Sequence, residues 1–344
     1  MLDTSSLRIA PRVRLAHTPT PLEAMPNLGA VLGGPELYVK RDDCTGLAMG
    51  GNKARQLEYY LGQAVAEGAD TVLTTGAVQS NFVRQAAAAA RKCSMKCHIQ
   101  LEDRVPYNDA TYLGSGNVLL DHLLGATIHE FPEGENEAAA DANLEAIADD
   151  LRGKGCKPYV IHLGIDHPPW GGLGYVDAGR EVAAQAKAMD IRFDAVVVAT
   201  GSGLTHAGLL AGLRAAGDAT PVYGICVRRD AVTQRARIER RLAEIVELAG
   251  LPATTASVRD VNVEDTWLGP GYGHLTDEID KTLHLAAETE ALVLDPVYTG
   301  KVMSGLISMI RRGDFHITDK VLFVHTGGGP ALFGYGSLNK SNSG

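Results

Sequence analysis

The chain has 344 residues, 45% of them hydrophobic and 21% charged, which is ordinary globular usage in a length that suits two domains or lobes. A net charge of −9 and a pI of about 5.7 leave no basic field for nucleic acid or an anionic membrane, so an anionic ligand has to be caught locally. No apolar run approaches the ~18 residues of a membrane helix, and the opening MLDTSSLRIAPR lacks a signal peptide's apolar core, so a cytoplasmic protein is expected.

In chain order, ELYVKRDD (36–43) predicts a strand and ARQLEYYLGQAVAEGA (54–69) a helix. DTVLTTG (70–76) predicts a buried strand, SNFVRQAAAAARKCS (80–94) a helix and KCHIQLE (96–102) another strand. GNVLLDHLLG (116–125) is helical, ATIHEF (126–131) strand-like, 136–155 an amphipathic helix and KPYVIHLG (157–164) a strand. Helix and strand then alternate as 174–189, 194–201, 205–217 and 221–227. A basic–acidic helix over 230–249, helices at 278–290 and 299–313, and the strand KVLFVHTGG (320–328) complete the pattern. Strands alternating with helices of this length specify an α/β fold of mainly parallel sheet with both faces covered. No repeat, low-complexity tract or Ser/Gly linker divides the chain, so two closely joined lobes are expected.

Glycine is the unusual number. With 39 Gly and 15 Pro, these two residues make up about 16% of the chain against an average nearer 12%. The informative glycines follow strands. VVVATGSGLTHAG (196–208) reads as strand, loop Gly201-Ser202-Gly203-Leu204-Thr205 and helix start, where unpaired N–H groups and the helix dipole favour an anion. It matches neither the dinucleotide fingerprint nor a P-loop, which leaves a small phosphate ester as the ligand class or, on the plainer reading, a tight turn. Gly50-Gly51-Asn52-Lys53 sets a lysine at a helix start behind two glycines; it reads either as an ordinary solvated lysine or as one whose pKa is lowered by desolvation and the dipole, which frees the amine for Schiff-base chemistry. In TTGAVQSNFVRQ (74–85), Ser80-Asn81 reads as an N-cap or as a carboxylate site. LDPVYTGK (294–301) and FVHTGGGPALF (323–333) complete the set.

Other features read plainly. The five cysteines form no CxxC pair, and Cys93, Cys97 and His98 do not complete a zinc set, so reduced thiols and no metal are expected. Asp103-Arg104 and the helix QRARIERRLAEIVE (234–247) read as solvated faces, and His98, His122, His129 and His284 as satisfied or solvated side chains.

GGNK, QSN, TGSGLTHAG, GPGYG (269–273), DPVYTGK and HTGGGPALF occur in that order, and together they resemble the pyridoxal-phosphate enzymes of fold type II, the tryptophan synthase β-like group. The resemblance spans roughly residues 10 to 336 and lies with 1-aminocyclopropane-1-carboxylate deaminase, D-cysteine desulfhydrase and L-cysteate sulfo-lyase. It implies pyridoxal 5'-phosphate in a cleft between two lobes, a large domain of 1–54 plus 165–344, and a small domain of 55–164 inserted in it. It also implies a homodimer acting on a small amino acid. Lys53 would bind the cofactor covalently and carry the Cα proton. Gly201, Ser202, Gly203, Leu204 and Thr205 would cradle the phosphate, Asn81 would meet the ring oxygen and Thr326 the ring nitrogen. Ser80, with the amides of Asn81 and Phe82, would hold the substrate carboxylate, and Tyr298 and Tyr272 would lie near its side chain. The implied reaction is an α,β-elimination of the carbon–sulfur lyase type. Ring-opening deamination, racemisation and an eliminase of altered specificity are the alternatives.

Two positions bear on the branch. The deaminase is expected to carry a carboxylate after the tyrosine of DPVY, where this chain has Thr299, as desulfhydrase-like members do. RLAHTPTPLE (14–23), KRDDCTG (40–46) and CHIQLEDR (97–104) look most like the cysteate-lyase members. Two departures stand out. Phe82 replaces a polar residue, and HLGIDHPPWGGLGY (162–175) replaces a Gly-Gly-Ser-Asn-like turn, with Asp166, His167 and Trp170 expected near the mouth of the site.

Overall fold

In the computed structural model, which describes residues 10–336 and 338, ten strands form two sheets. They are β1 (Leu22–Ala24), β2 (Glu36–Arg41), β3 (Thr71–Ala77), β4 (Lys96–Glu102), β5 (Thr127–Phe131), β6 (Pro158–Ile161), β7 (Ala195–Thr200), β8 (Val222–Cys226), β9 (Val261–Glu264) and β10 (Lys320–His325). The six-stranded sheet runs β1-β2-β10-β7-β8-β9 and the four-stranded sheet β5-β4-β3-β6. Every pairing is parallel except β1 with β2.

Central strands carry unbroken apolar or small residues because helices cover both faces. All six residues of β7 and all seven of β3 are buried. Phe323 on β10 pairs with Val39 on one side and Val197 on the other, and the three belong to a single apolar cluster. The small sheet has its own core, in which Ala86, Ala87, Ala89 and Ala90 of helix Asn81–Lys92 lie against Val72 and Ile99. Alanine there brings the helix backbone close to the sheet.

Part of the glycine surplus has a structural use that the sequence pattern did not show. Helices Gly172–Ala188 and Leu204–Ala215 cross so closely that a Cβ on Gly179 would stand 2.5 Å from the Leu209 carbonyl oxygen, and one on Gly212 would stand 2.2 Å from that of Val176. Any side chain there would force the helices apart.

The predicted elements occur in the predicted order. The sequence pattern carries no signal for β1, β9 or the short helices Pro26–Leu32, Ala110–Gly114 and Gly329–Leu332. β1 has three residues and β9 four, too short for an alternation to register. No helix among the described residues is long and apolar enough to cross a membrane.

Candidate active site

Parallel strands direct their carboxyl ends, and the loops that follow, to one side of the sheet, where ligands of open α/β folds bind. Both sheets do so here, toward a single cavity. The ends of β3 and β4 contribute Ser80 and Arg104, those of β7 and β8 contribute Gly201 and Arg228, and that of β10 contributes Thr326.

Of the twelve site residues named from the sequence, eleven line this cavity: Lys53, Ser80, Asn81, Phe82, Gly201, Ser202, Gly203, Thr205, Tyr272, Tyr298 and Thr326. Leu204 does not line it; its side chain turns into the small-sheet core. Its amide still belongs to the helix start.

Lys53 is the first residue of helix Lys53–Ala66. Its side chain remains partly accessible, and burial alone pushes the amine down to about 8. The glycines before it permit a tight approach. Gly51 has φ +121°, and a Cβ on it would meet the Gln85 side-chain nitrogen at 2.6 Å and the Thr326 carbonyl oxygen at 3.3 Å.

The loop after β7 turns at Gly203, φ +96°, so that the next helix starts with its N–H groups facing the cavity. Thr205 Oγ1 accepts from Asn52 Nδ2 and from Gln56 Nε2, both at 2.9 Å, which leaves its O–H to donate elsewhere. The loop's carbonyls are held from behind. Gly201 O accepts from Gln234 and Arg229, and Ser202 O from Arg237 Nε at 3.0 Å.

Ser80 is the N-cap of helix Asn81–Lys92, its Oγ accepting from the amides of Phe82 and Val83 at 3.2 and 3.4 Å. Asn81 Oδ1 accepts from Asn117 Nδ2 at 3.0 Å, so its amide N–H₂ is the end left for a ligand. Phe82 stacks edge-on against Tyr60 at 6.2 Å within the small-sheet core, which accounts for an apolar side chain at this position.

On the opposite wall Tyr272 Oη and Tyr298 Oη share a 2.6 Å hydrogen bond. Burial pushes both phenols up, Tyr298 well above its usual value, while the charges of Arg104 and Arg228 oppose the rise at Tyr272. Lys301, pushed down to about 8 by burial, donates to the carbonyls of Leu268 and Gly271 and so holds the loop that carries Tyr272.

The solvated-face reading of Arg104 and of helix 234–247 is corrected by the structure. Arg104 lines the cavity, its Nε 2.8 Å from Glu102. Arg237 lines it as well, and the side chain of Arg241 is only 3% exposed and donates to the carbonyls of Gly164 and His167. An amphipathic helix shows which residues are charged, but not which of its arginines lie beneath a loop whose carbonyls need donors. Glu137, at the start of helix Glu137–Gly153, gathers Arg228, Arg229 and Arg237 into one ionic cluster. The loop at 162–175 lines the cavity only through Leu163 and Gly164. Asp166 turns away to Arg240 and Trp170 packs between two apolar clusters, so neither brings charge or bulk into the cavity.

A lysine of lowered pKa at a helix start, an anion cradle after a central strand and a facing tyrosine pair, set between two parallel sheets, suit a phosphorylated aldehyde cofactor. The family model for pyridoxal-phosphate dependent enzymes matches residues 13–327. The chain is 42% identical over 330 residues to a 1-aminocyclopropane-1-carboxylate deaminase of Methylobacterium nodulans, covering 94% of this chain and 96% of that protein. It is 41% identical to the protein of the same description from Burkholderia vietnamiensis, over 97% of this chain and 98% of that one. A crystal structure described as an ACC deaminase homologue superposes with a TM-score of 0.84 at 36% identity, covering 96% of each chain. The chain belongs to the pyridoxal-phosphate-dependent enzymes of fold type II and, within them, to the 1-aminocyclopropane-1-carboxylate deaminase family.

Proposed function

We propose that the enzyme carries out an α,β-elimination on a small β-substituted amino acid, cysteine- or cysteate-like, releasing a 2-oxo acid, ammonia and the substituent. The observation that carries this reading is the pair of guanidinium groups beside the tyrosine pair. Arg104 and Arg228 line the same cavity as Tyr272 and Tyr298. Glu102 occupies the Nε and Nη2 edge of Arg104, and no hydrogen bond among the described residues engages Nη1. That end is available to an acidic or sulfur-bearing substituent.

When bound, pyridoxal phosphate supplies an aldehyde that amines capture and a conjugated ring that takes up the charge left at Cα. Backbone amides from Gly201 to Thr205, with the Thr205 hydroxyl, would hold the phosphate. The Asn81 N–H₂ would be placed to meet the ring oxygen, and the Thr326 hydroxyl to face the ring nitrogen. Ser80 and the start of helix Asn81–Lys92 bind the substrate carboxylate. Lys53 Nζ would take up the Cα proton. The Cβ–substituent bond then breaks with its electron pair going to the substituent, which the hydrogen-bonded tyrosines supply with a proton where it needs one. The released 2-aminoacrylate takes up one water to give pyruvate and ammonia.

A second reading, ring opening of 1-aminocyclopropane-1-carboxylate, draws support from the descriptions of the relatives at 41–42% identity. The residue after Tyr298 speaks for elimination. Thr299 is fully buried, its hydroxyl donating to Asp295 Oδ1 at 2.7 Å while Asp295 N donates back to it, so it presents no group to the cavity. Assaying 2-oxo acid release from both enantiomers of cysteine, from L-cysteate and from the cyclopropane substrate separates the readings. Pyruvate from a cysteine or cysteate supports elimination; 2-oxobutyrate from the cyclopropane alone overturns it.

Arg104→Met should lower kcat/KM for L-cysteate by about 10- to 100-fold, the worth of a charge-assisted hydrogen bond of ~1.5–3 kcal/mol. Turnover of uncharged substrates should change far less. Equal losses on both would show that Arg104 supports the cavity without reading the substituent.

A further inference from the structure

Beside the rim of the cavity stands a cluster that the elimination does not use, part of it in the segment that departs from the family's usual turn. Asp141 and Glu145 lie one turn apart on helix Glu137–Gly153, His162 directly follows β6, and His167 lies in the loop before helix Gly172–Ala188. His162 Nδ1 is 3.1 Å from Asp141 Oδ1, and its Nε2 is 2.9 Å from Glu145 Oε1. His167 Nε2 is 3.7 Å from the other oxygen of Asp141. One ligand atom each from Asp141, His162 and His167 lie within 4.8 Å of one another.

A neutral imidazole has one N–H, and His162 faces a carboxylate at each nitrogen. With the proton on Nε2, where the contact to Glu145 is shorter, the Nδ1 lone pair and an Asp141 oxygen are two acceptors facing each other, an arrangement that calls for a cation between them. A second proton would need only His162 and Asp141. The second imidazole nitrogen on the same carboxylate makes instead a three-ligand set of two nitrogens and one oxygen, and Glu145 is placed as the outer carboxylate that fixes a ligating histidine's tautomer.

We propose that Asp141, His162 and His167 bind one divalent transition-metal ion of the zinc class beside the cavity rim, with Glu145 orienting His162. Imidazole nitrogen selects zinc, nickel or copper over magnesium and calcium. The two rings stack at 3.8 Å and 10°, so coordination turns the His167 ring, whose side chain is 38% exposed, toward His162 Nδ1. The backbone of that loop is already anchored, since Arg241 donates to His167 O at 2.8 Å and to Gly164 O at 2.6 Å. Because Asp141 also lines the cavity, the bound ion fixes part of the cavity's wall.

The test titrates ZnCl₂ alone into the chelator-treated, cofactor-loaded full chain, reading bound zinc per chain and the shift in thermal midpoint. One zinc per chain is expected, together with a midpoint that rises with zinc and is unmoved by MgCl₂. His167→Ala, at a partly exposed position, should keep the fold, weaken zinc binding at least tenfold and abolish the thermal shift. Glu145→Gln should weaken binding by about 10- to 100-fold. Zinc uptake unchanged in His167→Ala would place the ion elsewhere, and no stoichiometric uptake would leave His162 as a protonated bridge; either result overturns the proposal.

Discussion

Lys53→Ala is expected to remove turnover, by more than ~10⁴-fold, because the proposed function makes this one residue both covalent anchor and proton carrier and a positioned base alone is worth ~10²–10⁴. The substitution leaves the fold intact. Alanine suits a helix start, and the lost side chain is partly accessible from the cavity and carries no ion pair among the described residues. The visible absorbance of the lysine-linked cofactor should vanish and the cofactor should leave on dialysis; a folded variant that kept both would exclude Lys53 from the role. Wild-type enzyme stripped of cofactor gives a companion measurement. The free base is the reactive form, and its pKa is pushed down to about 8 by burial. The rate of cofactor capture should therefore climb about tenfold per pH unit below that value and level off above it. An ordinary lysine, near 10.4, would keep climbing.

Arg55→Leu is expected to destabilise the protein by about 3–5 kcal/mol in denaturant unfolding, since it strands buried carboxylates without their cation. Two residues after Lys53, Arg55 donates to both oxygens of Asp42 at 3.0 and 2.9 Å and to both oxygens of Glu181 at 3.0 and 2.8 Å. Lys40 joins Glu181 at 2.6 Å, and Tyr175 donates to Asp42 at 2.6 Å. Two cations thus balance two carboxylates inside the protein, and removing one upsets that balance. The pH sign follows from the lowered pKa of Asp42 and Glu181 in the folded state. Stability contributed by such groups is present above their unfolded pKa values and lost as pH falls, so the gap between wild type and variant should narrow below about pH 4. A gap that stayed constant across that range would mean that packing, not charge, sets the loss.

How much of this could be read from the sequence varies by kind of residue. Strands such as β7 and β3 were legible because burial on both faces leaves a run of apolar and small or β-branched residues with no charge in it. Loop residues such as Gly203 and Lys53 were legible because the backbone chemistry they enable is local. Arg104, Arg228 and Arg237 were not, since a charged residue on a strand end or a helix looks the same in sequence whether it faces water or a cavity. The glycines of helices Gly172–Ala188 and Leu204–Ala215 were hidden for a related reason. Their use depends on a partner helix whose crossing point only tertiary packing defines. The cluster of Asp141, His162 and His167 likewise draws on two separate stretches of chain, so that only the fold brings Asp141 beside the two histidines.

Arg237 donates through Nε to Ser202 in the phosphate loop and through Nη2 to Leu163, just beyond the last strand of the small sheet, both at 3.0 Å. One planar group therefore takes its orientation from two bodies of secondary structure at once. If the loop holds the phosphate as proposed, a contact that orders it also bears on the small sheet, and the effect is reciprocal. Through this one side chain the loop after β7 and the end of the small sheet are held in register with each other.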